Sequence, residues 1–288
     1  MLTEKAPAKV NLSLHVLGRR DDGWHELESL VAFAGCSDTL TFSPGGKLRL
    51  SVEGPAAAGA GADEDNLVLR AARRLAQQAP DLRLGAFVLT KRLPAAAGLG
   101  GGSSDAAAAL RLLARANALA LDDPRVREAA RASGADVPVC LEPRACVMSG
   151  LGETLGPALA LPPLYAVLAN AGVGVETAKV FAQMSLTKGQ ASGRRAPAAA
   201  FAFDSSARLI ESLRAAGNDM EPAANALAPI VGETLKVLAG ASGALLTRMS
   251  GSGATCFALF DSRRAAVRAA VRIRAQKPAW WVRATLLR

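Results

Sequence analysis

The chain has 288 residues, half of them hydrophobic, which is enough to bury one large core or two of medium size. Its 34 basic and 25 acidic residues leave a net charge of +9, which is compatible with a nucleic-acid partner or with a small substrate rich in phosphate. The 4 cysteines lie far apart and form no CxxC pair, so the sequence argues against a zinc knuckle and a disulfide framework and favours a reducing compartment.

We expect a cytoplasmic protein that does not span a membrane. The N-terminus lacks a long apolar run, and the apolar stretch over residues 159–173 is interrupted by Pro162 and Pro163 before it could cross a bilayer. Many of the arginines are spaced as on solvated helix faces, which accounts for much of the positive charge without a partner.

The first half of the chain alternates between strand and helix patterns. Apolar and polar residues alternate over residues 8–17, which predicts a half-buried strand followed by a turn. Short strands are also predicted at 39–42, 48–52 and 86–89, with a flexible loop from Pro55 onward. Helical spacing predicts helices over 66–78, 104–118 and 124–133.

The second half begins with a predicted strand at 164–170 and a low-complexity segment at 189–202 that we expect to be mobile. Helices are predicted at 205–215 and 222–239, followed by a glycine turn into a strand, a basic amphipathic helix and a last strand. Because strands and helices do not repeat as βαβ units, the order favours an α+β fold. We expect two domains, residues 1–158 and 159–288.

The clearest local signal is a glycine-rich loop, residues 98–104, that leads directly into an Ala/Leu helix. Glycines let consecutive N–H groups turn inward around one anion, and a helix N-terminus adds positive potential, so the pattern predicts a phosphate-binding loop. Ser103 or Ser104 could cap the helix or reach a metal ion. A flexible linker with a serine cap is the alternative, and the absence of a following lysine excludes a Walker A loop.

A second glycine turn, residues 250–255, could approach the first loop or a ligand, although a tight turn explains it equally well. Lys9 and Asp136 are charges flanked by apolar residues, which is costly unless they are paired. A carboxylate near a phosphate site could accept a hydroxyl proton, with the ammonium stabilising the charges around it. A structural salt bridge, or a turn cap at Asp136, is the alternative.

The chain contains only two histidines, His15 and His25, which excludes a histidine-rich metal site. We expect His15 to point into a core. His25 follows Trp24 in a loop, and this pair could bind a flat heterocycle or could be an exposed pair without a role.

Several segments together resemble the GHMP kinases. In chain order they read PAKVNLSLHVLGRRDDGWHEL, LPAAAGLGGGSSDAAAAL, GADVPVCL, NDMEP and MSGSGATCFALF. The opening, the DGWHE loop and the GADVP segment are narrower and resemble the branch of the family that phosphorylates cytidine diphosphate-linked methylerythritol in the non-mevalonate isoprenoid pathway. The resemblance implies a two-domain α+β fold, with a ribosomal-S5-like N-terminal domain and a ferredoxin-like C-terminal domain whose last strand could return to the first.

The resemblance also implies ATP and Mg²⁺ as cofactors and a small-molecule substrate as partner, with no nucleic acid and no membrane, in a monomer or weak homodimer. Lys9 and Asp136 fall on its catalytic pair, and Ser104 on a metal contact. The residues that fall near ATP are Asn66, Leu67, Val68, Lys91, Pro94, Gly98, Leu99, Gly100, Gly101, Gly102, Ser103 and Ser104. Those that fall near the substrate are Asn11, Trp24, His25, Thr177 and Phe181, with Trp24 and Phe181 placed to enclose the cytosine ring.

The chain departs from the family pattern at Trp24, where tyrosine is usual. It also departs in the PAAAG stretch before the glycine loop, where glycines are common, and at Asp105, where asparagine also occurs. A kinase of homoserine, mevalonate or a sugar is the nearest alternative function. A basic RNA-binding protein would need aromatic residues interleaved with its basic patch, but the chain has only 8 phenylalanines, 3 tryptophans and 1 tyrosine.

Overall fold

A computed structural model of the chain describes residues 1–60, 63–193 and 201–288. Residues 61 and 62, in the loop predicted from Pro55, and residues 194–200, the centre of the segment predicted to be mobile, lie outside the described residues. No helix among the described residues is both long enough and apolar enough to cross a membrane.

The chain forms two compact units, each built from strands and helices, which confirms the α+β class. The first contains Met1–Lys9, Cys36–Ala95 and Gly100–Pro143, and the second contains Val10–Gly35, Ala96–Leu99 and Arg144–Arg288. The units are therefore interleaved along the chain, whereas we predicted one boundary near residue 158. The reason is that strands β1 (Leu2–Asn11) and β3 (His25–Pro44) each supply residues to both units.

The sheet of the first unit confirms the strands predicted in this region. Strand β4 (Arg49–Glu53) runs parallel to β5 (Gly85–Thr90), and β5 pairs antiparallel with the second half of β3. Phe42 and Phe87 face each other in this register and stack with ring centroids 4.6 Å apart. Their burial fixes which face of the sheet packs against the helices.

Four helices of the first unit pack together: α1 (Leu67–Gln78), α2 (Gly101–Ala116), α3 (Pro124–Ser133) and α4 (Val137–Leu141). Helix α2 is buried from Ser104 to Ala114. Its run of alanines allows neighbouring helices to approach from several sides, which explains a pattern that is apolar nearly all round. The helix begins at Gly101, three residues before the predicted start.

The second unit contains an antiparallel sheet in the order β3, β11, β8, β10, β9, in which β2 and β6 pair with β3 and β7 pairs with β6. Its strands besides β3 are β2 (His15–Arg19), β6 (Cys146–Gly150), β7 (Thr154–Leu155), β8 (Leu164–Asn170), β9 (Leu246–Met249), β10 (Cys256–Phe260) and β11 (Trp281–Leu287). The strand at 164–170 is confirmed. The single strand predicted over 8–17 is wrong, because β1 ends at Asn11 and the chain bends before β2.

The helices of the second unit are α5 (Thr177–Gln183), α6 (Ser206–Ala215), α7 (Glu221–Leu227), α8 (Ile230–Ala239) and α9 (Arg263–Gln276). The single helix predicted over 222–239 is wrong. Pro229 disfavours helical dihedrals at the residue before it, and Ala228 has φ −141° and ψ 89°. The chain therefore leaves α7 and restarts a helix at Ile230.

Helix α9 confirms the predicted basic amphipathic helix. Ile273 and the alanines at positions 265, 266, 269 and 270 are buried in the core of the second unit, whereas Arg264, Arg268 and Arg272 are exposed at four-residue spacing. Much of the excess positive charge thus lies on a solvated helix face, as the spacing predicted.

Candidate active site

In the first unit, Lys9 and Asp136 form an ion pair. Nζ of Lys9 donates to Oδ1 of Asp136 over 2.8 Å. The Lys9 side chain is 5% exposed and that of Asp136 is 34% exposed, so the ammonium is held inside while the carboxylate remains accessible. Strand β1 supplies the lysine, and the turn before α4 supplies the aspartate. The two residues predicted to form a pair are thus brought together.

Gly100 lies directly beside this pair. It has φ +59°, and a Cβ built on it would lie 3.3 Å from Cβ and Cε of Lys9 and 3.8 Å from Oδ2 of Asp136. The left-handed conformation and the close approach both favour glycine. Gly100 is the N-cap of α2, so the helix begins next to the catalytic candidates.

The start of α2 offers a set of backbone donors. Ser104 N makes a 2.8 Å hydrogen bond to the Gly100 carbonyl, so the N–H groups of Gly101, Gly102 and Ser103 precede the first intrahelical bond. With the helix dipole they form a site that favours an anion. This is the arrangement that the glycine loop predicted.

Ser103 and Ser104 do not take the capping role predicted for one of them. Neither caps the helix, because Gly100 occupies the N-cap position without a side-chain bond. The Ser104 hydroxyl is fully buried and donates to the Pro7 carbonyl over 2.8 Å. This bond uses the hydroxyl proton and leaves the oxygen lone pairs available, so the metal contact of Ser104 stays a prediction. Ser103, one residue earlier, is only half-buried.

The predicted ATP residues at the start of α1 lie against the same turn of α2. Asn66 caps α1, with its side-chain oxygen accepting from Val68 N over 3.0 Å. A Cβ on Gly102 would lie 3.2 Å from Cδ1 of Leu67. Leu67 is therefore adjacent to the glycine loop, and Asn66 and Val68 are its neighbours in the chain. Pro94 is half-buried on the segment that leads into the loop.

Lys91 is buried between two carboxylates. Its Nζ donates to Oδ2 of Asp38 over 2.5 Å and to Oδ2 of Asp105 over 2.7 Å, and all three side chains are at most 5% exposed. A Cβ on Gly101 would lie 3.6 Å from this ammonium. Lys91 therefore lies beneath the first turn of α2, near its predicted ATP neighbourhood, but its charge is already neutralised by protein groups.

Asp38 was not identified from the sequence. It accepts from Lys91 and also from the backbone N–H groups of Arg92 and Leu93, so it fixes the chain where it leaves β5. The signal that could have indicated it is a charged residue inside an apolar strand, Asp38, together with a lysine directly after another strand, Lys91.

Burial raises the pKa of Asp105 to about 7, against the opposing effect of Lys91, and Asp38 adds to the increase. We expect Asp105→Asn to change how stability depends on pH. A raised folded-state pKa means that the folded protein binds more protons than the unfolded chain between the ordinary value of 3.8 and about 7. The free energy of unfolding of the parent should therefore fall as pH rises through this window, relative to the variant.

Urea unfolding of both proteins at several pH values between 4 and about 8 measures this difference. Asp38→Asn is the matched comparison, because it alters the other carboxylate, which holds two backbone N–H groups as well as Lys91. That variant should be destabilised at every pH. Parallel pH profiles for the parent and Asp105→Asn would show that Asp105 does not take up a proton on folding.

In the second unit, the turn 250–253 contacts residues 96–99. The hydroxyl of Ser250 donates to the Gly98 carbonyl over 2.8 Å and accepts from Asn11 N over 3.1 Å. A Cβ on Gly98 would lie 2.2 Å from the Ser250 carbonyl oxygen, so only glycine permits this approach. The second glycine turn therefore does approach the first loop, which sequence alone left open.

Asn11 is held with its side-chain oxygen available. Its Nδ2 donates to the Ser29 hydroxyl over 2.7 Å, and that hydroxyl donates to the Ser13 carbonyl over 2.5 Å. Oδ1 of Asn11 is buried and accepts no hydrogen bond from the described residues. A buried acceptor without a partner is costly, which points to a ligand donor at this position.

His25 stacks on Phe181, with ring centroids 4.3 Å apart and an interplanar angle of 12°. Burial, and then Arg19, lower the pKa of His25, so the ring is neutral at pH 7. Its Nε2 is buried and has no hydrogen-bond partner within the described part of the chain. Trp24 is 64% exposed. Its role in enclosing the cytosine ring together with Phe181 stays a prediction.

Thr177 and Phe181 lie one turn apart on α5, so both side chains project from one face of the helix. The Thr177 hydroxyl lies 2.8 Å from that of Ser252, which links α5 to the glycine turn. His15, by contrast, is buried near Asp219 with 3.7 Å between Nδ1 and Oδ2, as predicted for a core position.

Comparison with known proteins agrees with the resemblance. Residues 66–144 match the family model "GHMP kinases N terminal domain" and residues 198–279 match "GHMP kinases C terminal". A 4-diphosphocytidyl-2-C-methyl-D-erythritol kinase of Methylobacterium radiotolerans is 59% identical over 100% of this chain and 99% of its own. A crystal structure of 4-(cytidine 5'-diphospho)-2C-methyl-D-erythritol kinase has a TM-score of 0.77 at 34% identity, covering 99% of both chains.

The structure of homoserine kinase from Cytophaga hutchinsonii is also similar, with a TM-score of 0.72 over 99% of this chain and 94% of that one. At 21% identity it shows the fold alone. The chain therefore belongs to the GHMP kinases, a class of phosphotransferases with a two-domain α+β fold. Within that class it is a member of the 4-diphosphocytidyl-2-C-methyl-D-erythritol kinase family.

Proposed function

We propose that the chain transfers the γ-phosphoryl group of ATP to the 2-hydroxyl of 4-diphosphocytidyl-2-C-methyl-D-erythritol. The observation that carries this proposal is the Lys9–Asp136 pair beside Gly100. It combines an accessible carboxylate, a buried ammonium and a row of backbone N–H groups in one place. General-base phosphoryl transfer requires these groups together.

In the proposed reaction Asp136 accepts the proton of the substrate hydroxyl. The freed oxygen forms a bond to the γ-phosphorus while the bond from that phosphorus to the β–γ bridging oxygen breaks, and ADP leaves. Lys9 holds Asp136 in place through the 2.8 Å bond and offers positive charge to the transferring group. The N–H groups of Gly101, Gly102 and Ser103 bind phosphate oxygens.

GHMP kinases use ATP as phosphate donor, and Mg²⁺ usually accompanies it. Among residues 1–60, 63–193 and 201–288 there is no cluster of three His, Cys, Asp or Glu side chains that could hold a metal ion alone. Mg²⁺ bound to ATP takes most of its ligands from phosphate oxygens and water. The protein ligand we propose is the Ser104 hydroxyl, as predicted, with the half-buried Ser103 hydroxyl beside it. Bound there, the ion would neutralise phosphate charge.

The nucleobase half of the substrate is assigned to His25 and Phe181. A neutral imidazole can pair with the polar edge of cytosine through Nε2, which has no partner among the described residues, and the ring of Phe181 can stack on the base. The present stacking of the two rings then requires His25 to move aside or the base to use the other face of Phe181. Asn11 offers Oδ1 to a substrate hydroxyl.

ADP release with Mg-ATP tests the function directly. Parallel assays should compare the cytidylyl substrate with homoserine, mevalonate and galactose, and should include CDP as a competitor. We expect turnover with the cytidylyl alcohol and inhibition by CDP. Turnover with another alcohol, without CDP inhibition, would retain the GHMP class but overturn the nucleobase site.

We assign this reaction to the cytoplasm, where ATP and Mg²⁺ are available, and to a monomer or weak homodimer. The chain acts on a small molecule. A gel-filtration profile at micromolar protein concentration measures the oligomeric state.

A further inference from the structure

The NDMEP segment of the sequence includes a buried asparagine, Asn218. Within the described part of the chain, its side-chain hydrogen bonds go to residues that are not assigned to a ligand. Its Nδ2 donates to the carbonyl of Met249 over 2.9 Å and to that of Gly251 over 2.8 Å. Its Oδ1 accepts from Met220 N over 3.0 Å. The side chain therefore uses both donors and its acceptor, and both donors act on the glycine turn.

The neighbours of Asn218 reinforce the same connection. Glu221 accepts from Met249 N over 2.9 Å, so Met249 is held at both its N–H and its carbonyl by one short segment. Asp219 N donates to the Leu14 carbonyl, and the Asp219 carboxylate accepts from Val16 N over 3.0 Å. Residues 218–221 thus fix the glycine turn and the chain that follows β1 relative to each other.

The opposite side of the turn contacts the candidate site. Ser250 holds the Gly98 carbonyl and the Asn11 backbone N–H, as described above. A Cβ on Gly251 would lie 3.0 Å from the Gly98 carbonyl oxygen and 3.3 Å from Oδ1 of Asn11. Asn218 is therefore joined to Gly98 and Asn11 by direct contacts through a single turn, all within the second unit.

We propose that Asn218 is a positioning residue for phosphoryl transfer, which sets the turn 249–251 so that Ser250 and Gly251 fix the glycine loop at Gly98 and the amide of Asn11. This inference rests on the proposed function for the roles of the loop and of Asn11. Asn218 itself touches neither ATP nor the alcohol in this scheme.

The chemistry of the site explains why an asparagine is required. Two carbonyl oxygens face one side of the amide and a backbone N–H faces the other, so the side chain must donate twice and accept once. Aspartate has the same shape and keeps the acceptor, but it would place a carboxylate oxygen against two carbonyl oxygens. The turn should then move away from Asn218.

The test compares Asn218→Asp with the parent and with Asn225→Asp. Asn225 lies in α7 on the surface and its Oδ1 accepts from Gly232 N, which an aspartate can also do. We expect Asn218→Asp to raise the dissociation constant of ATP and the KM of the alcohol and to lower kcat/KM by about 10- to 100-fold, since small misplacements of positioning groups have effects of this size. Asn225→Asp should behave as the parent.

If Asn218 contributed only to the stability of the fold, Asn218→Asp would lower the amount of folded enzyme and with it the apparent kcat. The KM of the alcohol and the dissociation constant of ATP would then be unchanged. The inference is overturned if folded Asn218→Asp binds ATP and the alcohol as tightly as the parent. ATP affinity is measured by calorimetry in the absence of the alcohol. The ATP result for Asn218→Asp is therefore independent of which alcohol the enzyme uses. If the parent phosphorylated a different alcohol, the proposed substrate would be wrong, but the test of Asn218 would still hold.

A second variant tests the route through the turn. Ser250→Ala removes the side chain that joins the turn to Gly98 and Asn11. If Asn218 acts through Ser250, the variant that carries both Asn218→Asp and Ser250→Ala should show a smaller fold-loss of ATP affinity than the product of the two single fold-losses. Multiplicative losses would show that Asn218 acts by another route and would overturn the inference.

Discussion

Asp136→Asn is expected to lower kcat by about 100- to 10,000-fold, the range typical for loss of a general acid or base. Asparagine keeps the size of the side chain and an oxygen that can accept from Lys9, so the 2.8 Å contact can survive. It cannot take the proton of the substrate hydroxyl. ATP binding should change little, because the N–H groups at the start of α2 are untouched.

The measurement is the ADP-release rate at saturating substrates, with circular dichroism and thermal unfolding to verify the fold. Asp123→Asn is the matched control. Asp123 caps α3 by accepting from Arg125 N over 2.9 Å, and asparagine is an equally good N-cap. A folded Asp136→Asn enzyme with turnover close to that of the control would show that Asp136 is not the base.

A comparison of two lysines in the first unit, Lys9 and Lys91, illustrates why the pair at Asp136 is the better catalytic candidate. Lys91 is enclosed by two carboxylates that are almost inaccessible, so its contribution is to fix the base of the α2 turn. Among the residues that the structure describes, Lys9 pairs with Asp136 alone, and the Asp136 side chain is 34% exposed. An accessible carboxylate can exchange a proton with a bound hydroxyl, whereas a sealed cluster cannot.

The sequence predicted the bounds of an element correctly where capping or helix-breaking residues mark its two ends. Helix α3 was predicted with its observed bounds, because Pro124 and Asp123 mark its start and Gly134 its end. The break at Pro229 was missed although proline is a local signal, because the apolar spacing on both sides continues in phase. The end of β1 at Asn11 has no comparable local mark, since the alternation of residues runs on into β2.

Site residues could be predicted from the sequence where burying a charged side chain without a partner would cost free energy. Lys9 and Asp136 were identified as charges in apolar surroundings, and they are 127 residues apart in the sequence. Asp38 and Asn218 were missed because polar residues at turns and strand ends are common, and only the folded chain shows that their partners are backbone groups. The side-chain directions of Ser104 and His25 also depend on packing that no local pattern encodes.

Gly98→Ala is expected to have the second large effect. Gly98 has φ +71°, which costs a residue with a Cβ about 1 to 2 kcal/mol. The added Cβ would also lie 2.2 Å from the Ser250 carbonyl oxygen and 2.8 Å from Gly253 N. Both atoms belong to the backbone of the glycine turn, so no side chain can rotate away and the loop and turn must separate.

We therefore expect Gly98→Ala to lower the free energy of unfolding by about 2 to 5 kcal/mol, from backbone strain and overpacking together, and to weaken ATP binding. Urea unfolding and ATP calorimetry measure the two effects. Gly217→Ala is the matched control, because a Cβ there meets nothing within 4 Å and its backbone is not left-handed. If Gly98→Ala were as stable as Gly217→Ala and bound ATP equally well, the close contact between loop and turn would not be required. If Gly98→Ala lost ATP affinity but little stability, the added Cβ would affect mainly the phosphate-binding loop. The glycine turn would then move away from residue 98 without destabilising the unit.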